Sequence, residues 1–468
     1  MRKLILAAVG AMTLFMAFPL YAAEVKFGGE FRVRGFFADN LLDGNSGLED
    51  ANRFNDLRFR LKTSITAGAT TGVVVLDFGN CFFGADVATI NGPGAVGAGA
   101  FTGDCRFGAG GAGRSYNTVG VREAHLNIDL KTFRAILGRQ TLKLGHGIVF
   151  DDTADAITVV IPMGDATLTG SLLQLADKTD GLGAALPTDI NSDTSVWVLN
   201  LGMDHGNHVL NVYNAFLYDQ ASGGVTTFNT IYPTGVVGAG VFGAADKIWY
   251  NIVGVSLDVK NGPMALAAEG TYTMGTISNG LPGVDIRLKG WNLMGDVTVD
   301  TGGSKVGATV VYAAGTDQGA VSDATANDIS GNFQLGNIIL NSEQFADRDG
   351  GSLGGGLIGM GILAVKGHIS TPVSDKLTVG GALIYARTAE LCAPLGGALP
   401  CGGMNDREIG TEVDLNAAYA VDGNLTLSAG AGYLFTGDGA QDFYAGAPAG
   451  GGADSPIWKL AGRAVFTF

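Results

Sequence analysis

The sequence has few charged residues and, after its N-terminal segment, no long apolar run. Charged residues make up 16% of its 468 positions, where soluble domains average about 25%. No apolar stretch beyond the N-terminus reaches the ~20 residues that a membrane-spanning helix needs, yet the mean hydropathy is +0.25. These shortages exclude a bundle of membrane helices and disfavour an ordinary soluble chain of several domains. Together with 75 glycines, they favour one large all-β unit.

Basic residues and histidines are also scarce, which excludes two classes of function. Lysine and arginine total 29 against 44 acids, a formal charge of −15, whereas nucleic-acid binding asks for a basic face. The five histidines form no His-x-x-x-His pair, and no serine elbow or phosphate-cradling loop stands out. We therefore expect neither a nucleic-acid partner nor an enzyme.

The N-terminus has the pattern of a cleaved export signal. Arg2 and Lys3 supply a positive start, residues 4–18 an apolar segment, and residues 19–23 a small-residue exit. The predicted signal peptide is 1–23, and its removal takes two basic residues from the chain. The remaining residues, 24–468, form the predicted single domain.

Four cysteines fall in two close pairs, Cys81 with Cys105 and Cys392 with Cys401. An export signal places them in an oxidising compartment, where disulfides are the default. Four cysteines allow three pairings, and we expect the sequence neighbours to be joined.

The last thirteen residues, 456–468, alternate between two faces. One face is apolar and combines small residues with Trp458, Leu460, Phe466 and Phe468. The other face carries charged residues. A period of two predicts a strand, and its length suits an apolar belt bounded by aromatic girdles. The stretch resembles the closing strand of a bacterial outer-membrane β-barrel. That resemblance implies that Phe466 and Phe468 are the assembly signal read by the barrel-assembly machinery.

The same alternation recurs along the chain and predicts a transmembrane antiparallel up-and-down β-barrel of about eighteen strands, with sixteen as the alternative count. Short connections alternate with long Gly- and Asp-rich ones, as expected when periplasmic turns alternate with extracellular loops. The stretch 284–300 is ambiguous, because Leu288 has the opposite parity to Trp291 and Leu293. A β-bulge would reset the register there, and a misassigned strand is the alternative.

The polar faces of these strands carry charges suited to a water-filled lumen. Barrel closure makes the last strand a neighbour of the first two, which predicts a basic wall comprising Lys26, Arg32, Arg34, Arg58, Arg60, Lys62, Lys459 and Arg463. Other strands carry the predicted lumen acids Glu123, Asp129, Glu269, Glu408, Glu412 and Asp414. Opposed charged walls would steer ions; alternatively, the charges form ladders between paired strands.

Residues 141–155 are the candidate constriction loop, since they follow the fifth predicted strand. Arg139 ends that strand, the apolar residues 148–150 follow, and then come Asp151, Asp152 and Asp155. This arrangement resembles the third loop of porins, which folds into the barrel and narrows it. The resemblance implies that the apolar residues anchor the loop to the wall while the carboxylates face water. An outward surface loop is the alternative.

As a whole, the chain resembles outer-membrane porins and, more loosely, the eighteen-stranded alginate-export-like barrels. The similarity is carried by the residue 138–155 stretch, the 412–437 hairpin and the terminal aromatics. It implies a water-filled channel for ions and small hydrophilic solutes, in contact with lipid and lipopolysaccharide. A homotrimer and a monomer both remain open.

Two further functions stay open at this point. One is a substrate-specific channel or exporter of an anionic polysaccharide such as alginate. The other is a structural or adhesive barrel plugged by loops 80–117 and 316–357. No cofactor is expected, although the acids of the longest loop are candidates for binding divalent cations that bridge to lipopolysaccharide, with a merely solvated loop as the alternative.

Overall fold

The computed structural model describes most of the strand-forming parts of the chain. The described residues are 23–39, 52–82, 120–176, 194–219, 245–279, 285–315, 323–325, 333–340, 361–391, 406–440 and 456–468. The predicted signal peptide lies outside them apart from residue 23. Cys105, Cys392 and Cys401 also lie outside them, and only the backbone of Cys81 is described, so the disulfides stay a prediction.

Nearly all of the described chain is β-strand. In chain order the strands are β1 Glu24–Asp39, β2 Asn52–Ala67, β3 Thr70–Phe82, β4 Gly120–Asp129, β5 Arg134–Lys143, β6 Asp151–Met163, β7 Ala166–Ala176, β8 Thr194–Asp204, β9 His208–Asp219 and β10 Ala245–Asn261. They continue with β11 Met264–Asn279, β12 Asp285–Asp300, β13 Lys305–Ala313, β14 Asp323–Thr325, β15 Ile362–Pro372, β16 Leu377–Arg387, β17 Glu408–Ala420, β18 Leu425–Thr436 and β19 Ile457–Thr467. Within the described part of the chain, no helix is long and apolar enough to cross a membrane.

Eighteen of these strands form one closed antiparallel barrel. Each pairs with its neighbours in sequence, β13 pairs directly with β15, and β19 returns to pair with β1. The three-residue β14 stands apart, since it runs parallel to β12 beside the ladder. The predicted fold and the count of eighteen are therefore confirmed, and sixteen is excluded.

Alternation along each strand separates an apolar outer face from an inner face. On β1, Phe31 is exposed on the outside while Arg32 and Arg34 are buried on the inside. Outward side chains such as Leu199 and Leu415 remain more than half exposed. Exposed large apolar side chains in a continuous belt would be costly in water, so this face is built to meet hydrocarbon.

The short turns at one end of the barrel are set by aspartate side chains and glycines. Asp204 Oδ1 accepts the amide of Gly206 at 2.8 Å, and Asp300 Oδ1 accepts that of Gly302 at 2.8 Å. Both glycines have positive φ, 75° and 84°, which glycine adopts without strain. Aspartate and glycine thus close these hairpins in three and four residues, as the alternation of short and long connections predicts.

Strand β12 contains no bulge. Its ladder with β11 runs without a register shift from residue 285 to 299. Trp291 and Leu293 are exposed on the outer face, while Leu288 is 4% exposed and belongs to an apolar cluster inside the barrel. The parity change in the sequence therefore marks a place where the inner face is apolar, and the bulge interpretation is wrong.

The C-terminal residue takes part in closing the barrel. The Phe468 carbonyl accepts the amide of Gly29 at 2.9 Å, and its ring stacks on Phe59 at a centroid distance of 6.1 Å. A β-carbon at Gly29 would collide with the carbonyl of Arg60 and lie 2.7 Å from the Phe468 ring. Glycine at this position lets β1, β2 and the terminal aromatic meet at one seam.

Candidate functional site

Two segments between strands fold into the barrel and pack against its inner wall. The first inward segment, 144–150, joins β5 to β6; the second inward segment, 333–340, lies between β14 and β15. Each combines buried apolar side chains with backbone amides that contact a glutamate of the wall. They occupy different arcs of the barrel, so together they narrow it from two sides.

The first inward segment is anchored by apolar contacts. Ile148 is fully buried and Leu144 and Val149 nearly so, within a cluster formed by the inner faces of β6 to β10 and β12. Wall residues of this cluster include Leu173 and Tyr250, each 1% exposed. Burying an isoleucine side chain fully is worth ~1.5–3 kcal/mol, so these contacts hold the segment inside.

Glu269 of β11 clamps the apex of this segment. Its Oε2 accepts the amide of His146 at 2.5 Å, and its Oε1 accepts a short hydrogen bond from the Tyr213 hydroxyl. Gly145 has φ 53°, and a β-carbon there would collide with the carboxylate. Tyr213 lies against Gly254, which likewise has no room for a β-carbon. Glycines at two contacts therefore let the loop and the tyrosine both reach Glu269.

The His146 ring lies between two carboxylates. Its Nε2 is 3.1 Å from Asp258 Oδ1 on β10, and its Nδ1 is 3.2 Å from Glu269 Oε2. The hydrogen bond with Glu269 raises the pKa of His146, burial opposes that shift, and Asp258 adds to it. The charged groups of the adjoining strand ends, Lys143 and Asp151, pair with each other at 3.1 Å.

This arrangement predicts a pH-dependent constriction. The pKa of His146 is higher when the segment is docked than when it is undocked, so protonation stabilises docking. That stabilisation is complete below the ordinary pKa of about 6.5 and is lost as pH rises through the raised value. We therefore expect the conductance in planar bilayers to increase as pH rises above neutrality.

Replacing His146 with Gln should flatten this pH profile, because the titrating group is removed. The His205→Gln variant is the control, since His205 lies in an exposed turn and its side chain is 62% exposed. A wild-type pH profile retained by the His146→Gln variant would contradict the assignment.

The second inward segment is clamped by Glu412 of β17. Glu412 Oε1 accepts the amides of Asn337 and Ile338, each at 2.8 Å, and Oε2 accepts that of Ile339 at 2.7 Å. The carboxylate is fully buried. Ile338 and Ile339 are also fully buried, among apolar side chains of β1, β13 and β15 to β19.

The two inward segments approach each other across the lumen. Phe333 at the start of the second segment, together with Met294 of β12, packs against both apolar clusters. The wall from β6 round to β19 is thus largely covered by the two segments. The strands that carry the predicted basic wall lie in the remaining arc and at its border.

The basic side chains form a ladder on the inner faces of β19, β1 and β2. Arg32 of β1 is paired with Arg58 of β2. Two residues further along β1, Arg34 is paired with Arg463 of β19. Lys62 and Arg60 continue the ladder on β2, and Lys459 lies opposite Ala38 near the other end of β1. Successive inward side chains of one strand are two residues apart, about 6.6 Å. The structure therefore brings together the eight residues proposed from the sequence.

The basic side chains of the ladder become more exposed to solvent toward the turn end of the barrel. Arg32, Arg34, Arg58 and Lys459 are at most 6% exposed, whereas Lys26 and Lys62 are exposed at the turn end. Three acids pair with the ladder: Arg58 Nη2 donates to Glu30 at 2.6 Å, Arg60 Nε donates to Asp77 at 2.8 Å, and Lys26 Nζ lies 3.0 Å from Glu24. These three acids and the eight basic side chains make the ladder a mixed but mainly basic surface among the described residues.

The predicted lumen acids occupy different positions from those expected. Glu269, Glu412 and Asp414 are 3%, 0% and 2% exposed, because the inward segments cover them. Glu123 accepts a hydrogen bond from Thr141 at 2.8 Å, and Asp129 accepts the amide of Lys131 in a turn. Glu408 lies at the start of β17 beside Gly437. In the structure, three of the six acids hold loops and do not form an open acidic wall.

The candidate constriction loop also differs from the prediction. Because β6 begins at Asp151, the connection shrinks to the residues 144–150, and only its apolar part folds inward. Asp155 lies in β6 on the same side as Ile157, which is exposed outside, and its carboxylate is 3.5 Å from Arg139 Nη1. Asp151 pairs with Lys143, and of Asp152 only the backbone position is described. The difference arose because the prediction assigned the ends of β5 and β6 to the loop.

Sequence reasoning missed the second inward segment as a wall-anchored element. It proposed the 316–357 loop as a plug, as a binding site for divalent cations or as a solvated loop. A signal was present, since Ile338, Ile339 and Leu340 form the apolar end of a segment in a loop otherwise rich in polar residues and glycine. An apolar run in a long surface loop indicates a loop that returns to the protein interior.

The closed barrel, its apolar outer face and its charged interior define an integral outer-membrane β-barrel protein. No family model matches the sequence, and no curated protein matches it.

Solved structures share the fold. OccK9 (OpdG) of Pseudomonas aeruginosa matches with a TM-score of 0.55 and 13% identity, covering 95% of this chain and 98% of that one. OccAB4 of Acinetobacter baumannii matches at 0.53 and 10% identity, covering 96% and 100%. The outer membrane protein opdK of Pseudomonas aeruginosa matches at 0.51 and 10% identity, covering 95% and 98%. These matches support a bacterial porin-type barrel, but not the expected likeness to alginate-export barrels.

Proposed function

We propose that this protein forms a water-filled channel across the outer membrane through which ions and small hydrophilic solutes diffuse, with a preference for anions. The observation that carries the proposal is the basic ladder, which lies on the arc of the inner wall flanking the two inward segments. A purely structural barrel has no need of a charged ladder beside the surfaces that narrow its lumen.

The size of the barrel supports a channel. Barrels of sixteen to eighteen strands are wide enough to leave an aqueous lumen when they are not plugged. Here the inward segments cover the wall from β6 round to β19, and part of β1, with apolar and backbone groups. The ladder continues beyond that covering, to the exposed side chains of Lys26 and Lys62. The narrow part of the pathway is therefore bordered by positive charge on one side and by uncharged loop surface on the other.

The distribution of the acids supports anion preference despite the acidic total. Glu269 and Glu412 are buried as acceptors of loop amides, and Glu269 also accepts from the Tyr213 hydroxyl, so neither carboxylate lines the open lumen. Glu30 and Asp77 each pair with one arginine of the ladder. The ladder presents eight basic side chains on three adjacent strands, and fixed charges in a narrow pore select the oppositely charged ion.

A substrate-specific channel is the second candidate, favoured by the spacing of the ladder. Basic groups about 6.6 Å apart along β1 and its neighbours offer successive contacts to one anionic group moving through the pore. On this proposal lipid and lipopolysaccharide surround the barrel and the barrel-assembly machinery inserts it. We assign it no catalytic role and no cofactor; among the described residues no three His, Cys, Asp or Glu side chains are placed to hold a metal ion.

The test is the reversal potential of the refolded protein in planar bilayers under a salt gradient. Discrete single-channel steps with a reversal potential of anion-selective sign are expected. Sharp block by one anionic solute would favour the specific channel over the general one. A protein that inserts but never conducts would contradict both and indicate a structural barrel with a plugged lumen.

A further inference from the structure

We propose that Glu412 is the positioning residue for the second inward segment, and that this segment is a releasable half of the constriction for which this carboxylate is the main polar acceptor. The inference rests on the proposed channel function and concerns what sets the width of the pathway. Glu412 neither faces the pathway nor belongs to the basic ladder.

The shape of the segment presents its amides to a single acceptor. The turn is closed by two backbone hydrogen bonds, Leu335 N to Leu340 O at 2.9 Å and Gly336 N to Ile339 O at 3.0 Å. The three amides of residues 337–339 donate to the Glu412 carboxylate. Successive amides converging in this way make a concave site for a carboxylate or another acceptor, and here a strand of the protein supplies the acceptor.

The wall is shaped to receive the segment at this point. A β-carbon on Gly336 would lie 2.8 Å from both Glu412 oxygens, and one on Gly432 of β18 would lie 2.9 Å from Asn337 Cβ. Glycine at both positions allows the close approach. Three further polar contacts surround the clamp: Asn337 Nδ2 donates to the carbonyl of Ala431 at 3.0 Å and to Asn416 Oδ1 at 3.3 Å, and Lys366 Nζ donates to the carbonyl of Leu335 at 2.6 Å.

The contacts also make the segment releasable. In the described part of the chain, residues 333–340 pair with no barrel strand, and they are held by side-chain acceptors and apolar packing. Loss of the Glu412 carboxylate leaves the buried amides of Ile338 and Ile339 without an acceptor, and leaves that of Asn337 with Asp414 Oδ2 at 3.1 Å. An unsatisfied buried donor is costly. Those two amides regain partners only if the segment moves into water. The barrel itself is unaffected, because the backbone hydrogen bonds between its strands do not involve this carboxylate.

The experiment compares single-channel conductance of the full-length wild type with that of Glu412→Ala and Glu412→Gln. For Glu412→Ala we expect frequent steps to a higher conductance, with the ratio of undocked to docked segment rising on the order of a hundredfold. Glu412→Gln keeps one acceptor oxygen and should fall in between. Asp165→Asn, which removes one negative charge from an exposed turn, is the control and should behave as wild type.

A disulfide staple keeps the test decisive. Asn337→Cys with Gly432→Cys, added to Glu412→Ala, requires the two β-carbons to separate by about 1 Å to reach disulfide geometry. Under oxidising conditions this variant should return to wild-type conductance, and reduction should restore the high steps. Glu412→Ala alone, measured under both conditions, controls for the native cysteines.

Two results would overturn the proposal: a Glu412→Ala channel with wild-type conductance, or high steps that persist when the staple is oxidised. A Glu412→Ala chain that fails to fold is distinguished by heat-modifiable migration in gels. In that case Glu412→Gln, measured alone and with the same staple, provides the test. A wild-type protein that does not conduct contradicts the channel function, whereas a conducting wild type with unaltered Glu412 variants contradicts only the clamp.

Discussion

Replacing Arg34 and Arg463 together with Gln is expected to remove most of the anion preference of the channel. The two arginines face each other across the β1–β19 pair at the centre of the ladder. A unit charge about 6 Å from a permeating ion in water contributes ~0.7 kcal/mol, favourable for an anion and unfavourable for a cation, so two charges change the anion-to-cation permeability ratio by about a hundredfold. The reversal potential in a KCl gradient measures this change directly.

The control for this prediction is the double replacement of Lys131 and Lys376 with Gln. Both lysines are exposed in turns at the end of the barrel, away from the ladder, so this variant loses the same charge from another place. A permeability ratio that shifts equally in both variants would show that total charge, and not the ladder, sets selectivity. Raising the salt concentration should shrink the effect of the arginine pair, since screening shortens the range of the field.

Replacing Ile148 with Asp is expected to expel the first inward segment and widen the channel. Ile148 is fully buried between the segment and the wall, and a carboxylate there would be unpaired in an apolar cluster. Losing the isoleucine burial alone is worth ~1.5–3 kcal/mol, which changes the ratio of undocked to docked segment by about one to two orders of magnitude. Single-channel conductance and uptake of larger neutral sugars into proteoliposomes should both increase.

The Ile148→Val variant is the matched control, because it keeps an apolar anchor and loses one methylene. It should conduct as wild type, with a destabilisation of about 0.5–1.5 kcal/mol in the docked segment. Unchanged sugar uptake in the Ile148→Asp protein, with the barrel folded, would mean that this segment does not border the pathway.

The architecture was predictable because membrane barrels use the simplest periodicity. Alternation on β1, β2 and β19 separates Phe31 and Leu460 outside from Arg32 and Lys459 inside, and the Asp-Gly turns mark where hairpins reverse. The basic ladder followed from closure, since an even number of antiparallel strands makes the last a neighbour of the first. Periodicity became misleading at Leu288, where an apolar residue faces inward because a loop packs on it.

The roles of the acids were not predictable from local pattern. Glu269 and His146 are 123 positions apart, and Glu412 is 73 positions from Ile339. Strand parity shows only that such a glutamate points inward; it does not show whether water or a loop backbone meets it there. Boundaries caused the other difference, since Asp155 belongs to β6 and pairs with Arg139 outside.

The sequence by itself determined the barrel and the face on which each strand carries charge, because these depend on a period of two and on turn chemistry; the choice between eighteen and sixteen strands needed the structure. Only the tertiary structure decided which charged side chains lie beside the pathway and which ones accept hydrogen bonds from the inward segments. The physical reason is that a buried carboxylate takes whatever donors the fold brings to it, and here those donors are loop amides distant in the chain.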